Sequence, residues 1–331
     1  MTQMLKNLEM SDLYSRLSEI GLTRSFIQKQ ALPTWWDSEL DSNSAAVTEA
    51  AGYIAKRLGL NISSLLQTDA PITFKSANSP KFKKRQGTDE KSLLVAQNLA
   101  IRVAEMVDYA FVSNSIDISE KTRKIRQEII ENHGCVNLTS LIKFCWQHGI
   151  AVVHFADFPK KVCKMDGMVS RAKKRPVIII SSSQRFSAWL LFILAHELGH
   201  LICGHVSEGI LIDEKIDREG SDKEEDEANN FACQLLYGEV EKYHWQPKMS
   251  PIQLATYVQK IGKQDQVDPG ALALNYAWQM KDWAAGLGAL KRIEPQANAS
   301  ALINGYMAEN IDWERLDEDS QDYLKLVTGV V

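Results

Sequence analysis

The sequence predicts an α+β fold: a small mixed sheet and one apolar helix, flanked by helical regions at both ends. Three observations carry this. Apolar residues recur at three- and four-residue steps through both ends of the chain. That period gives way to two β-rich runs, residues 150–155 (Ile-Ala-Val-Val-His-Phe) and 176–180 (Pro-Val-Ile-Ile-Ile). An uncharged apolar stretch, residues 186–195, then follows at helical period.

The elements follow in order. In residues 1–70, Leu13, Leu17 and Ile20 share one helix face, and Gly21 supplies a stop. Pro33 breaks the chain before Trp35 and Trp36, a pair expected to anchor a core or an interface. A second helix is expected over 45–58, with Val47, Ala50, Ala51, Ile54 and Leu58 on one side and Gly59 as its end. Residues 71–91 read as a basic linker or exposed loop. They are punctuated by Pro71, Pro80 and Gly87, and six bases against two acids give them +4. Lys81, Lys83, Lys84 and Arg85 are its candidates for contact with nucleic acid or an acidic partner. Helices are expected over 92–111 and 119–133, and from Asn137 to about Gly149. Residues 167–171 read as a short edge strand. The apolar helix is capped by Ser183 and stops at Gly204. Residues 92–245 thus form the central domain, and 246–331 a helical C-terminal region.

Composition narrows the function classes. At 331 residues the chain has room for about two domains by length alone. Its 45% hydrophobic and 24% charged residues suit a globular protein and exclude a disordered one. The net charge of −4 excludes coating of nucleic acid by bulk charge but leaves room for a local basic patch. The N-terminus lacks the pattern of a signal peptide, and the apolar stretch at 186–195 is about half of the ~20 residues a membrane span needs. The five cysteines lack disulfide or zinc-ribbon spacing, so reduced thiols in the cytoplasm are expected.

The chemistry centres on residues 196–200, His-Glu-Leu-Gly-His. A four-residue step is about one helical turn, so His196 and His200 point the same way and can share one metal ion. Glu197 is then placed as general base for a water at that metal. Two histidines and a glutamate on an apolar helix are costly to bury without a partner, and a metal is such a partner. A catalytic zinc needs a third protein ligand and an open position. The acidic run at 224–227 offers one. Ala228, Phe231, Ala232 and Leu235 mark the packed face of its helix, and Glu227 borders that face. Glu227 is the expected third ligand. Glu225 and Asp226 are expected to face water, where carboxylates suit a helix N-terminus. Cys203 and Cys233 read as packed thiols. His205, Tyr237 and His244 are candidate donors to an oxyanion.

The two motifs together, His-Glu-Leu-Gly-His-Leu and Glu-Ala-Asn-x-Phe-Ala-x-x-Leu-Leu, preceded by Arg185, resemble the ImmA/IrrE family of zinc metallopeptidases. The resemblance covers residues 92–238. It implies a zincin-like core, Zn2+ held by His196, His200 and Glu227, and Glu197 as base. It also implies a protein substrate, a helix-turn-helix repressor whose cleavage releases a stress, defence or mobile-element programme, with DNA or a nucleotide as a trigger. The family commonly closes its second helix with Leu-Leu-Met-Pro. Here Leu235-Leu236 is followed by Tyr237-Gly238, which alters the expected edge of the substrate cleft. Residues 10–66 could hold a degenerate helix-turn-helix, but residues 33–36 interrupt it where a recognition helix would lie. The alternative function is a non-catalytic zinc-fold regulator that antagonises or assists a repressor by binding.

Overall fold

Apolar periodicity becomes packing in a computed structural model of the chain. It describes residues 8–67, 69–75, 81–83, 90–112, 118, 121–160, 162, 165–171, 175–206, 209–213, 216, 223–239 and 242–331. The N-terminal helices are α1 (Met10–Glu19), α2 (Arg24–Phe26, continued by a wider turn to Ala31), α3 (Ser44–Leu58) and α4 (Ile62–Leu66). The central elements are β1 (Lys81–Lys83), α5 (Glu90–Ala110), α6 (Thr122–His133), α7 (Leu138–Gln147), β2 (Ala151–His154), β3 (Gly167–Arg171), β4 (Val177–Ile180), α8 (Ser187–Ile202), β5 (Gly209–Asp213) and α9 (Lys223–Tyr237). Five helices close the chain: α10 (Pro251–Asp265), α11 (Pro269–Met280), α12 (Trp283–Ile293), α13 (Ala299–Asn310) and α14 (Glu318–Thr328).

The strands form one mixed sheet in the order β1-β5-β3-β4-β2. β2 and β4 are parallel, as are β1 and β5, while β3 runs antiparallel to both β4 and β5. Two expectations change here. Residues 167–171 are an interior strand, because β5, supplied after α8, pairs along their other side. Residues 81–83 are a strand at the sheet edge rather than part of a loop. The other two basic candidates, Lys84 and Arg85, lie outside the described residues.

α8 is apolar on every side, which marks a helix enclosed by other elements. It packs against β3, β4, α7, α9 and α11, and only Ser187, Trp189, Phe192 and Ile202 along it are partly exposed. Its start differs from expectation. The N-cap is Phe186 rather than Ser183, and its side chain makes no capping bond. The Glu294 carboxylate, from the end of α12, accepts instead from the Ser187 backbone N–H at 2.8 Å and the Ser187 hydroxyl at 2.6 Å. An anion at a helix N-terminus satisfies its free N–H groups and suits its dipole. The C-terminal region thus holds the start of the helix that carries the motif. The buried core is one continuous cluster from Leu8 to Val327. Among the described residues no helix is long and apolar enough to cross a membrane.

Candidate metal centre and active site

His196, Glu197 and His200 are all fully buried, one turn of α8 setting the two rings together. Their Nε2 atoms are 3.0 Å apart. Glu225 from α9 presents Oε2 at 3.5 Å from His196 Nε2 and Oε1 at 3.3 Å from His200 Nε2. For a tetrahedral ion with ligand bonds near 2.05 Å, ligand atoms lie about 3.3 Å apart. The observed edges of 3.0, 3.3 and 3.5 Å match that triangle. Two imidazole lone pairs meeting at 3.0 Å repel unless a cation or proton lies between them, and a buried carboxylate beside them supplies a charge for that cation. The donor set fits a divalent metal. Asn229 supports it: its Oδ1 lies 3.0 Å from His196 Nδ1 and fixes that ring's other side.

The third donor beside the two rings is therefore the Glu225 carboxylate, while Glu227 turns to His205. The packed face of α9 runs Glu225, Ala228, Asn229, Ala232, Leu235 and Leu236. Glu225 is buried and belongs to that face, whereas the Glu227 side chain is 44% exposed. Gly199 lets the two helices approach: a Cβ there would lie 3.1 Å from Ala228 Cα and 3.1 Å from its carbonyl oxygen. The signal that could have found Glu225 is Asn229, four residues on, which carries its polar amide on the same stripe.

Glu197 points to the sheet. A Cβ at Gly167, the first residue of β3, would sit 2.9 Å from Glu197 Cγ and 2.6 Å from its Cδ. Glycine at the strand start leaves the space in which this carboxylate lies.

The end of α8 also shapes the site. Gly204 takes φ +77, which reverses the chain. The Gly204 N–H donates to Leu201 O, and the His205 N–H donates to His200 O at 3.0 Å. This pairing of the two residues past the helix end with its last turn normally brings two apolar side chains together. Here it brings two histidines: His200 Nδ1 and His205 Nδ1 are 2.8 Å apart. His205 Nε2 lies 3.0 Å from Glu227 Oε2. The His205 hydrogen bond, and then Lys223 at 3.4 Å, hold the Glu227 carboxyl below the usual glutamate range. With both ring nitrogens engaged, His205 is not an oxyanion donor. Tyr237 is buried and donates to Ala271 O at 3.2 Å, and His244 is exposed.

A cleft of about 530 Å³ runs along α8 on the side preceding His196. Trp189 and Phe192 of α8, Trp278 and Trp283 of the C-terminal region, and Asp166 beside Gly167 line it. Trp189 and Trp283 stack at 5.7 Å.

Residues 145–259 match the family model of the IrrE N-terminal-like domain, Peptidase_M78. The matched span contains both motifs and every ligand-bearing residue of the triangle. The chain carries an IrrE N-terminal-like peptidase domain. The ImmA/IrrE resemblance read from the two motifs agrees with that match. No curated protein matches the chain. Within the IrrE-like span lie α8, the sheet strands β2 to β5, α9 and the first part of α10 to residue 259, whereas α11 and α12, which wall the cleft, lie beyond it.

Proposed function

We propose that this protein is a cytoplasmic zinc-dependent endopeptidase, with His196, His200 and Glu225 holding the ion and Glu197 as general base. The observation that carries the reading is the ligand triangle of 3.0, 3.3 and 3.5 Å directly beside a buried glutamate. Two imidazoles and one carboxylate leave a fourth position open, the pattern of a catalytic rather than a structural zinc. Zinc bound there supplies an acidified water and polarises a carbonyl. Glu197 takes the proton from the attacking water and delivers it to the departing amine, so the peptide C–N bond breaks while a C–O bond forms. Burial of Glu197 against β3 limits the positions its carboxylate can take.

The substrate is an extended protein segment that places a large apolar side chain between Trp189 and Trp278. The aromatic walls of the cleft and its course along α8 support that choice. A helix-turn-helix repressor as the source of the segment, with DNA or a nucleotide as trigger, rests on the family resemblance. Release of a stress, defence or mobile-element programme follows from the same source.

The test is incubation of purified protein with its candidate repressor, with and without zinc, DNA and nucleotide. Glu197→Gln should retain zinc and lose cleavage. Cleavage that persists in this variant refutes the role given to Glu197. Relief of repression without fragments, in wild type and variant alike, favours the non-catalytic regulator.

A further inference from the structure

We propose that His205 and Glu227 form a positioning relay that fixes the tautomer of His200 and strengthens it as a metal ligand. The inference rests on the metal reading above, and neither residue touches the ion in it. A metal-facing Nε2 carries no proton, so the neutral His200 ring has its proton on Nδ1. That proton points at His205 Nδ1, 2.8 Å away, which must then accept. The neutral His205 ring therefore carries its own proton on Nε2 and donates it to Glu227 Oε2 at 3.0 Å. With both rings neutral, no other assignment satisfies both hydrogen bonds.

The chain ends on a charge. Glu227 is half-exposed and lies 3.4 Å from Lys223, so water and a cation surround its carboxylate, whereas Glu225 is buried against the two rings. Its negative charge makes His205 Nδ1 a better acceptor, which draws the His200 Nδ1 proton outward and raises electron density at His200 Nε2. Carboxylates hydrogen-bonded to ligating histidines act in this way, and here one imidazole is interposed. The relay also explains the geometry at the helix end. The Gly204 reversal and the His205 N–H bond to His200 O set the second ring against the first. His196 has a different support, the Asn229 amide, so the two ligating rings are tuned by different groups.

Zinc alone is the probe, with affinity measured by chelator competition on the full chain. His205→Leu removes the acceptor and should weaken zinc binding 10–100-fold, the range usual for such supporting partners. His205→Asn places an amide oxygen near the lost Nδ1 and should recover part of the loss. Glu227→Gln keeps an acceptor for His205 but removes the charge. It should weaken binding by about tenfold or less, whereas Glu225→Gln removes a ligand and should abolish tight binding. In the zinc-loaded protein, ¹⁵N spectra should show His205 protonated on Nε2 and His200 on Nδ1.

Wild-type affinity in both His205→Leu and Glu227→Gln overturns the relay, as does a His205 proton on Nδ1. Loss in Glu227→Gln as complete as in Glu225→Gln also overturns it, by making Glu227 a ligand. Failure of the wild-type protein to bind zinc removes the metal reading itself, a result distinct from all of these.

Discussion

Replacing Gly167 with alanine tests whether β3 is the wall that holds Glu197. The added Cβ would sit 2.6 Å from Glu197 Cδ and 2.9 Å from Cγ. Ordinary carbon contact begins near 3.5 Å, so the carboxylate must move by about 1 Å. Glu197 is fully buried, and the movement meets a packed interior. Overpacking of this kind costs about 1–3 kcal/mol. Gly167 is not among the residues with positive φ, so its backbone accepts alanine, and without the clash the strand should gain up to about 1 kcal/mol. The assay is a double-mutant cycle read by thermal unfolding of wild type, Gly167→Ala, Glu197→Ala and the double variant. Gly167→Ala should lower the midpoint by roughly 2–10 °C with Glu197 present. With Glu197 truncated it should leave the midpoint unchanged or raise it. Hydrolysis should fall about 100-fold in Gly167→Ala, because a 1 Å displacement of a reacting group costs that much, while zinc affinity stays unchanged. Equal stability effects in both backgrounds would show that β3 does not confine Glu197 and would refute the argument.

Three further outcomes are expected. Gly199→Ala places a methyl 3.1 Å from backbone atoms of Ala228, which cannot yield as a side chain would. It should cost about 1–3 kcal/mol and weaken zinc binding by pushing α9 and Glu225 away, as thermal unfolding and chelator competition will show. Cys145 is buried and its thiol is pushed up by burial, whereas Cys203 is exposed. Thiol-labelling kinetics should therefore modify Cys203 in the native state and reach Cys145 only on unfolding. Finally, burial raises the Asp317 carboxyl, but the Lys56 ammonium and Ser320 outweigh it, so its folded value lies below the usual aspartate range. The tie between α3 and α14 is then intact above that range and is lost as pH falls through the depressed value. Lys56→Met should flatten the acid limb of the midpoint-versus-pH curve. An acid limb identical to wild type would dismiss the tie.

Several features of the site could be read from the sequence because they are local. Helix period alone puts His196 and His200 on one side of α8, and no partner element can alter a four-residue step. The stop at Gly204 was also legible, since a residue with positive φ after an apolar helix favours glycine. The start of the same helix was not. Its cap is Glu294, more than a hundred residues away, so nothing near Ser183 could reveal it. The sheet interior is hidden from the local sequence for the same reason. β3 looks like an edge until β5 arrives from beyond α8 to pair with it.

The third ligand divides the two kinds of information most clearly. By itself the sequence determined the fold class, the facing histidine pair, the glutamate beside it and the presence of an acidic helix start close by. It did not determine which acid. Successive residues of a helix are rotated by about 100°, so Glu225 and Glu227 face nearly opposite ways. The apolar residues Ala228, Phe231, Ala232 and Leu235 span a face wide enough to admit either. The choice depends on how α9 is turned about its own axis when it docks on α8. That rotation is set by contacts between the helices: the close approach at Gly199 and Ala228, and the Asn229 bond to His196. It is a property of the packed pair, and only the tertiary structure decides it.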